Sequence, residues 1–240
     1  MKLMSITLLL TSAVAAHVIP LPKLALQNTD LFEGDILGIG SPEDRNAIPN
    51  DSQRWTEGAI PYVIDSSLSG LTQMIQQAMN QYHKYTCIRF KKRTTETHYV
   101  RMFKGQGCNS FVGNIHRGAQ NLSLGYGCEY LGTVVHELGH AVGFWHEHTR
   151  SDRDDYLNIH WENIMNGMEI WFKKMSVFEN RLLDTFDYDS IMLYGETSFS
   201  KDGRSRVMTA KDGTFLKEPY NKPGLSKSDI LRINKLYECN

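Results

Sequence analysis

Along the chain the apolar positions follow two different periods. Leu71, Ile75, Ala78, Met79 and Tyr82 recur at i, i+4, i+7, i+8 and i+11, which is one face of an amphipathic helix. Ahead of them Ile60-Pro-Tyr-Val-Ile64 reads as a short strand. After them Cys87-Ile-Arg-Phe90 and His98-Tyr-Val-Arg-Met-Phe103 alternate β-branched or aromatic residues with polar ones, as strands do. Gly105, Gly107 and Gly113 mark a turn-rich stretch, Leu122 to Leu124 gives one more short strand, and a second helix is predicted from near Tyr130. From Ser176 to Lys222 neither period persists, and Asp202-Gly203 and Asp212-Gly213 signal turns. Ser226-Lys-Ser-Asp229 forms a capping box ahead of a closing helix, with Ile230, Ile233 and Tyr237 on one face. Mixed strands and helices followed by irregular chain predict an α+β domain in two lobes.

Composition removes several function classes. Of 240 residues 41% are hydrophobic and 22% charged, with 4 Trp, 11 Tyr and 10 Phe, so burial can offset the entropy of ordering the chain. A net charge of −1 lacks the basic footprint of a dedicated nucleic-acid binder or a polybasic membrane-surface protein. No apolar run reaches the roughly 18 residues of a membrane-spanning helix. Neither nucleic acid nor membrane is therefore an expected partner.

The N-terminus changes the picture. Lys2, the apolar run Leu3 to Val14, and the small residues Ala13, Ala15 and Ala16 read as a signal peptide over residues 1–16, which places the protein outside the cell. Cys87, Cys108, Cys128 and Cys239 then belong to an oxidising compartment. None forms a C-x-x-C pair, so two structural disulfides are expected, with all three pairings open. Residues 17–45 carry Pro20, Pro22 and Pro42, and set Lys23 and Arg45 against Asp30, Glu33, Asp35, Glu43 and Asp44. Such an acidic, proline-broken stretch reads as an extended pro-segment cut after Arg45 by a trypsin-like protease, leaving 46–240 as the catalytic body.

The chemistry is carried by Val135-His-Glu-Leu-Gly-His-Ala-Val-Gly-Phe-Trp-His146. On a helix His136 and His140 lie about 40° apart around the axis and about 6 Å along it, close enough to share one ion. Gly143 lets the chain turn so that His146 supplies a third nitrogen. Three neutral imidazoles leave one Zn²⁺ per chain its full charge and a position for water, whose pKa falls from about 15.7 toward ~7. Glu137, about 100° round from His136, is placed to take that water's proton and hand it to a leaving amine. Peptide hydrolysis uses all of these parts. His148 is a nearby histidine more in keeping with a hydrogen-bonding side chain than with a fourth ligand.

The string continues as His146-Glu-His-Thr-Arg-Ser-Asp-Arg-Asp-Asp-Tyr156 and, with Cys87-Ile-Arg-Phe, Gly107-Cys-Asn-Ser and Ser190-Ile-Met-Leu-Tyr194, resembles the astacin family of zinc endopeptidases among the metzincins. The resemblance runs from about Asn46 to Cys239. It implies a zincin-like, two-lobed catalytic domain: an N-terminal lobe with a mixed sheet and two long helices, one binding zinc, and a mostly irregular C-terminal lobe with a terminal helix. It further implies that Met192 forms a Met-turn under the zinc and that Tyr194 stabilises the oxyanion. Phe32-Glu-Gly-Asp35 would silence the zymogen by placing Asp35 on the metal. Glu147 would receive the ammonium of Asn46 once the pro-segment is removed. Cys87 would pair with Cys239, and Cys108 with Cys128.

The family has histidine where this chain has Leu193, which puts the hydrogen bonds of the turn and of Tyr194 in question and implies a lower rate or an altered pH profile. The reading is a secreted, monomeric zinc metalloendopeptidase acting on extracellular proteins and made as a zymogen. The alternative is a catalytically weakened relative that binds extracellular protein, against which Glu137 argues. With one residue after Cys239, substrate choice is expected to rest on the cleft, where Arg206 to Asp212 lines the pocket after the scissile bond. Thr209 and Ala210 there favour a small side chain and Lys211 an acidic one. Two sequons, at Asn50 and Asn121, are weak candidates for glycosylation.

Overall fold

The computed structural model describes residues 19–39 and 51–239. The signal peptide, the Arg45–Asn46 cleavage site and Asn50 lie outside the described residues. The N-terminal lobe is built on a sheet of β1 (Ala59–Ile64), β2 (Arg89–Lys92), β3 (Tyr99–Phe103), β4 (Cys108–Ser110) and β5 (Ala119–Leu124), in the order β2-β1-β3-β5-β4. The pairings of β2, β1, β3 and β5 are parallel, and β4 runs antiparallel along the edge. Parallel neighbours need a crossover, and α2 (Thr72–Tyr85) supplies it between β1 and β2. Ile75, Ala78, Met79 and Tyr82 are its buried face, as the periodicity predicts, while Leu71 sits half-buried at its N-cap.

Helix α3 (Leu131–Val142) carries the histidine motif and is buried on almost every side, so it shows no polar face. It packs on α2, where the Tyr82 hydroxyl donates to the Val135 carbonyl at 2.6 Å. In the C-terminal lobe β6 (Leu157–Ile159) pairs antiparallel with β7 (Met208–Ala210) among 3₁₀ turns, and α4 (Lys227–Leu236) closes the chain. The Ser226/Asp229 capping box is formed; Ile233 is buried, whereas Ile230 and Tyr237 are half-buried. Disulfides join Cys87 to Cys239 and Cys108 to Cys128. Asn121 is exposed on β5.

The acidic arm departs from the extended segment expected of it. Leu21–Ala25 forms a helix, α1, with Pro22 in its first turn, where a missing N–H costs nothing. Lys23 Nζ donates to Thr197 Oγ1 at 2.6 Å, and the Phe199 amide donates to Gln27 Oε1 at 3.0 Å, so the arm is fastened to the C-terminal lobe. It then runs along the sheet edge: the Ser110 amide donates to the Asp35 carbonyl and the Leu37 amide to the Ser110 carbonyl, both at 2.9 Å. The edge strand β4, too short and polar to be seen in the sequence, is buried because the arm covers it.

Candidate metal centre

The end of α3 is held from several directions. Trp55 Nε1 donates to the Ala141 carbonyl at 2.8 Å, the Tyr237 hydroxyl to Val142 at 2.7 Å and the Gly113 amide to His140 at 2.9 Å, which satisfies carbonyls a helix end leaves open. Gly143 follows at φ 127°, in the region that favours glycine, and the chain turns back to bring His146 over the helix.

Each imidazole donates from Nδ1. His136 meets the Ile191 carbonyl at 2.8 Å, His140 the Phe144 carbonyl at 2.7 Å, and His146 the Glu33 carboxylate at 2.7 Å. Because those oxygens only accept, Nδ1 carries the proton and Nε2 is the lone-pair nitrogen in the neutral ring. The three Nε2 atoms converge on Asp35, whose Oδ2 is 3.0 Å from His136 and whose Oδ1 is 3.4 Å from His140 and 3.3 Å from His146. The Tyr194 hydroxyl donates to Asp35 Oδ2 at 2.6 Å. All four donor groups are buried, with ligand atoms within 4.8 Å of one another.

Electrostatics follow from that crowding. Burial alone opposes ionisation of Asp35, but the His146 and His140 rings outweigh it and hold the carboxyl well below its ordinary range. Burial brings His136 down to about 4. At His146 burial also acts downward, yet Asp35 and Glu33 together carry the ring up to about 9. Burial, and then the charge of Asp35, push Glu137 well above the usual carboxyl range.

Among the described residues, Asp35 Oδ1, His140 Nε2 and both Glu137 oxygens find no hydrogen-bond partner although fully buried. Buried polar atoms are seldom left so. A cation at the point where they converge would satisfy the ligand atoms among them, and three imidazole nitrogens with one carboxylate oxygen are a tetrahedral zinc donor set. The residues present fit the metal.

Beneath the site, Met192 packs so closely on α3 that a Cβ at position 139 would lie 2.6 Å from its sulfur, which explains the glycine inside the motif. At position 193 the turn is held through the main chain. Leu193 is buried and apolar, while its amide donates to the Ser190 carbonyl at 3.1 Å and its own carbonyl accepts from Lys222. Asp229 and Lys222 hold the turn from outside, two residues that sequence reasoning missed in this role. Glu33 was missed as well: it stands in the Phe32-Glu-Gly-Asp35 string, but only Asp35 there was given a role. His148 stacks on His146 with centroids 5.4 Å apart and stays outside the donor group. Lys211 turns its ammonium onto the Asp154 carbonyl, and Arg206 pairs with Glu196 at 2.9 Å.

Glu147 is a buried carboxylate. Arg232 holds it at 2.5 and 2.8 Å, Arg150 at 3.3 Å, and the Asp187 amide donates to it at 3.0 Å. A cavity of about 100 Å³ opens beside it, lined by residues that include Gln53, Arg54, Gly143 and Trp145.

Residues 47–238 match the peptidase family Astacin. The chain belongs to the astacin family. It therefore carries that family's zinc metalloendopeptidase domain. Among curated astacin relatives it is 47% identical to "Astacin-like metalloprotease toxin 1" of Loxosceles intermedia, over 87% of this chain and 81% of that protein. It is 42% identical to "Zinc metalloproteinase nas-6" of Caenorhabditis elegans, over 89% of this chain and 64% of the relative's length. Among solved structures it resembles high choriolytic enzyme 1, a hatching enzyme zinc-protease from the medaka Oryzias latipes. That match has a TM-score of 0.71 and 39% identity, and covers 78% of this chain and 94% of the other. The two-lobed α+β architecture is that of an astacin.

Proposed function

We propose that this astacin is secreted as a latent precursor that hydrolyses peptide bonds of extracellular proteins once residues 17–45 are removed. One observation carries the reading: the Asp35 carboxylate lies among three histidine nitrogens, in the place a substrate carbonyl and an attacking water would need. Residues 1–16 are the signal, 17–45 the pro-segment and 46–240 the catalytic domain, which works as a monomer after a trypsin-like protease cuts at Arg45.

His136, His140 and His146 would hold the zinc. When bound, the ion supplies Lewis acidity toward water and toward the scissile carbonyl. Glu137 is the general base, taking the proton of the attacking water and returning it to the leaving nitrogen. With Asp35 gone, the Glu137 carboxyl loses the negative neighbour that disfavours its ionised form, which suits it to that work. Tyr194, freed from Asp35, donates to the oxyanion on the tetrahedral carbon. Met192 floors the site.

The new N-terminal ammonium of Asn46 enters the cavity beside the Glu147 carboxylate, whose wall includes Gln53 and Arg54, seven and eight positions further along the chain. An activated form carrying one or two extra N-terminal residues is then less active and less thermostable; full activity and an unchanged melting temperature would remove this part of the reading.

The reading as a whole is tested by expressing the precursor, treating it with trypsin and profiling peptide-library cleavage, with and without a zinc chelator and with Glu137→Ala. Cleavage should appear only after trypsin and vanish with either treatment. Cleavage that survives both refutes the mechanism.

A further inference from the structure

The three imidazoles differ in who holds them from behind. His136 and His140 donate to main-chain carbonyls of Ile191 and Phe144, both within the catalytic domain. His146 donates to the side chain of Glu33, which belongs to the arm that maturation removes.

Glu33 is an expensive residue for its position. Its carboxylate is fully buried, and its backbone sits at φ 51°, a left-handed conformation that a side-chain-bearing residue seldom takes. Burial of the charge and the backbone conformation both favour a smaller, neutral residue unless the carboxylate has work to do. The 2.7 Å contact with His146 Nδ1 is work of that kind. A carboxylate on the second nitrogen of a ligand imidazole fixes the tautomer and ring orientation and makes the coordinating nitrogen a stronger donor.

We infer that Glu33 is a positioning residue for the metal, acting through His146, so that the precursor holds zinc more tightly than Asp35 alone would achieve and loosens its hold on maturation. The pro-segment is then a two-point latch. Asp35 closes the site from the front, Glu33 steadies the third ligand from behind, and both leave together. Zinc is captured by the latent form, and the activated enzyme carries an ion with a less electron-rich third ligand. The inference rests on the reading of residues 17–45 as a removable pro-segment over a zinc site.

The test is zinc affinity of the intact precursor, measured by competition with a chromophoric chelator in a Glu137→Ala background that prevents self-cleavage. Glu33→Gly removes the carboxylate and suits the backbone conformation; Glu33→Gln keeps the size and one acceptor. Glu33→Gly should weaken zinc binding by about 10- to 100-fold, the usual effect of losing such an outer partner, and Glu33→Gln by less. The loss should persist when Asp35 is already Ala, which separates the two points of the latch. The melting temperature of the zinc-free precursor reports the folding cost of the unpaired His146 Nδ1 separately from zinc affinity. Equal zinc affinity in the parent and Glu33→Gly precursors overturns the inference while leaving the zymogen reading intact. A parent precursor that binds no zinc overturns both.

Discussion

Asp229 reaches from α4 to the turn beneath the metal site, where its Oδ1 accepts the Ser190 hydroxyl at 2.7 Å and its Oδ2 the Ile191 amide at 2.8 Å. The same Oδ2 accepts the Ser226 amide at 2.9 Å, so one carboxylate both caps a helix and fixes a turn. The Ile191 carbonyl then receives His136, which links α4 to a candidate metal ligand in two steps.

Asp229→Ala is expected to lower stability by about 3 kcal/mol or more, since it leaves buried donors at Ser190 and Ile191 unpaired and removes a cap. Asp229→Asn, which keeps an acceptor oxygen, should fall between. Urea unfolding measures the loss. In the activated enzyme kcat should drop more than KM changes, because His136 moves with Ile191. Parent-like stability in Asp229→Ala would refute the assignment.

Lys222 holds the turn from the other side, with Nζ donating to the Ser190 and Leu193 carbonyls, both at 2.6 Å. Burial lowers its pKa to about 8, against the attraction of Asp229 and Glu218. The unfolded chain keeps an ordinary lysine near 10.4, so between about pH 8 and 10 the unfolded state binds more protons and stability rises with pH. Below pH 8 the cost of the buried charge is constant, on the order of 3 kcal/mol. Comparing wild type with Lys222→Met by chemical denaturation isolates this group. The difference should shift toward wild type by up to about 1.4 kcal/mol per pH unit across that window. A difference that stays flat with pH would contradict it.

Much of the fold is local and therefore legible. The periodicity of Leu71 to Tyr82, the capping box at Ser226 and the spacing of His136, His140 and His146 are each written within a few turns of chain. What escaped is long-range or carried by small polar residues. Strand β4 has three residues and no apolar alternation, and it exists because β5 and the arm pair with it. The helix α1 hides behind prolines. Glu33 and His146 are 113 positions apart, so no window along the sequence holds both. Asp229 was legible as a cap, but its hold on a turn 38 positions earlier was not. Cysteine spacing left three pairings, and the family resemblance implied the pairing found.

Glu147 stands between two guanidinium groups that are themselves nearly buried. Glu147→Ala leaves Arg232 and Arg150 facing each other without a carboxylate, and should cost about 3–5 kcal/mol. Adding Arg232→Met should recover part of that loss, since the uncompensated charge goes with it. Thermal denaturation of the single and double variants checks the relation. A double variant less stable than the sum of the two single losses would show that Arg232 has other essential work.

On the proposed function, Tyr194 serves opposite ends in the two forms of the protein. In the precursor its hydroxyl has one proton and three nearby acceptors: Asp35 Oδ2 at 2.6 Å, the Leu26 carbonyl at 3.0 Å and the Glu33 carbonyl at 3.1 Å. The shortest contact, to a charged oxygen, takes the proton. Tyr194→Phe therefore loses a charge-assisted bond worth about 1.5–3 kcal/mol and loosens the arm over the cleft. Trypsin should then cut the precursor faster. Once activated, the same variant lacks the donor for the oxyanion, and kcat should fall on the order of 100-fold with KM little changed. The signs are opposite, easier release and slower chemistry, and an unchanged melting temperature of the activated variant separates the pattern from loss of folding, which also speeds proteolysis. A variant activated more slowly than wild type, or one with an unchanged kcat, would remove Tyr194 from the corresponding role.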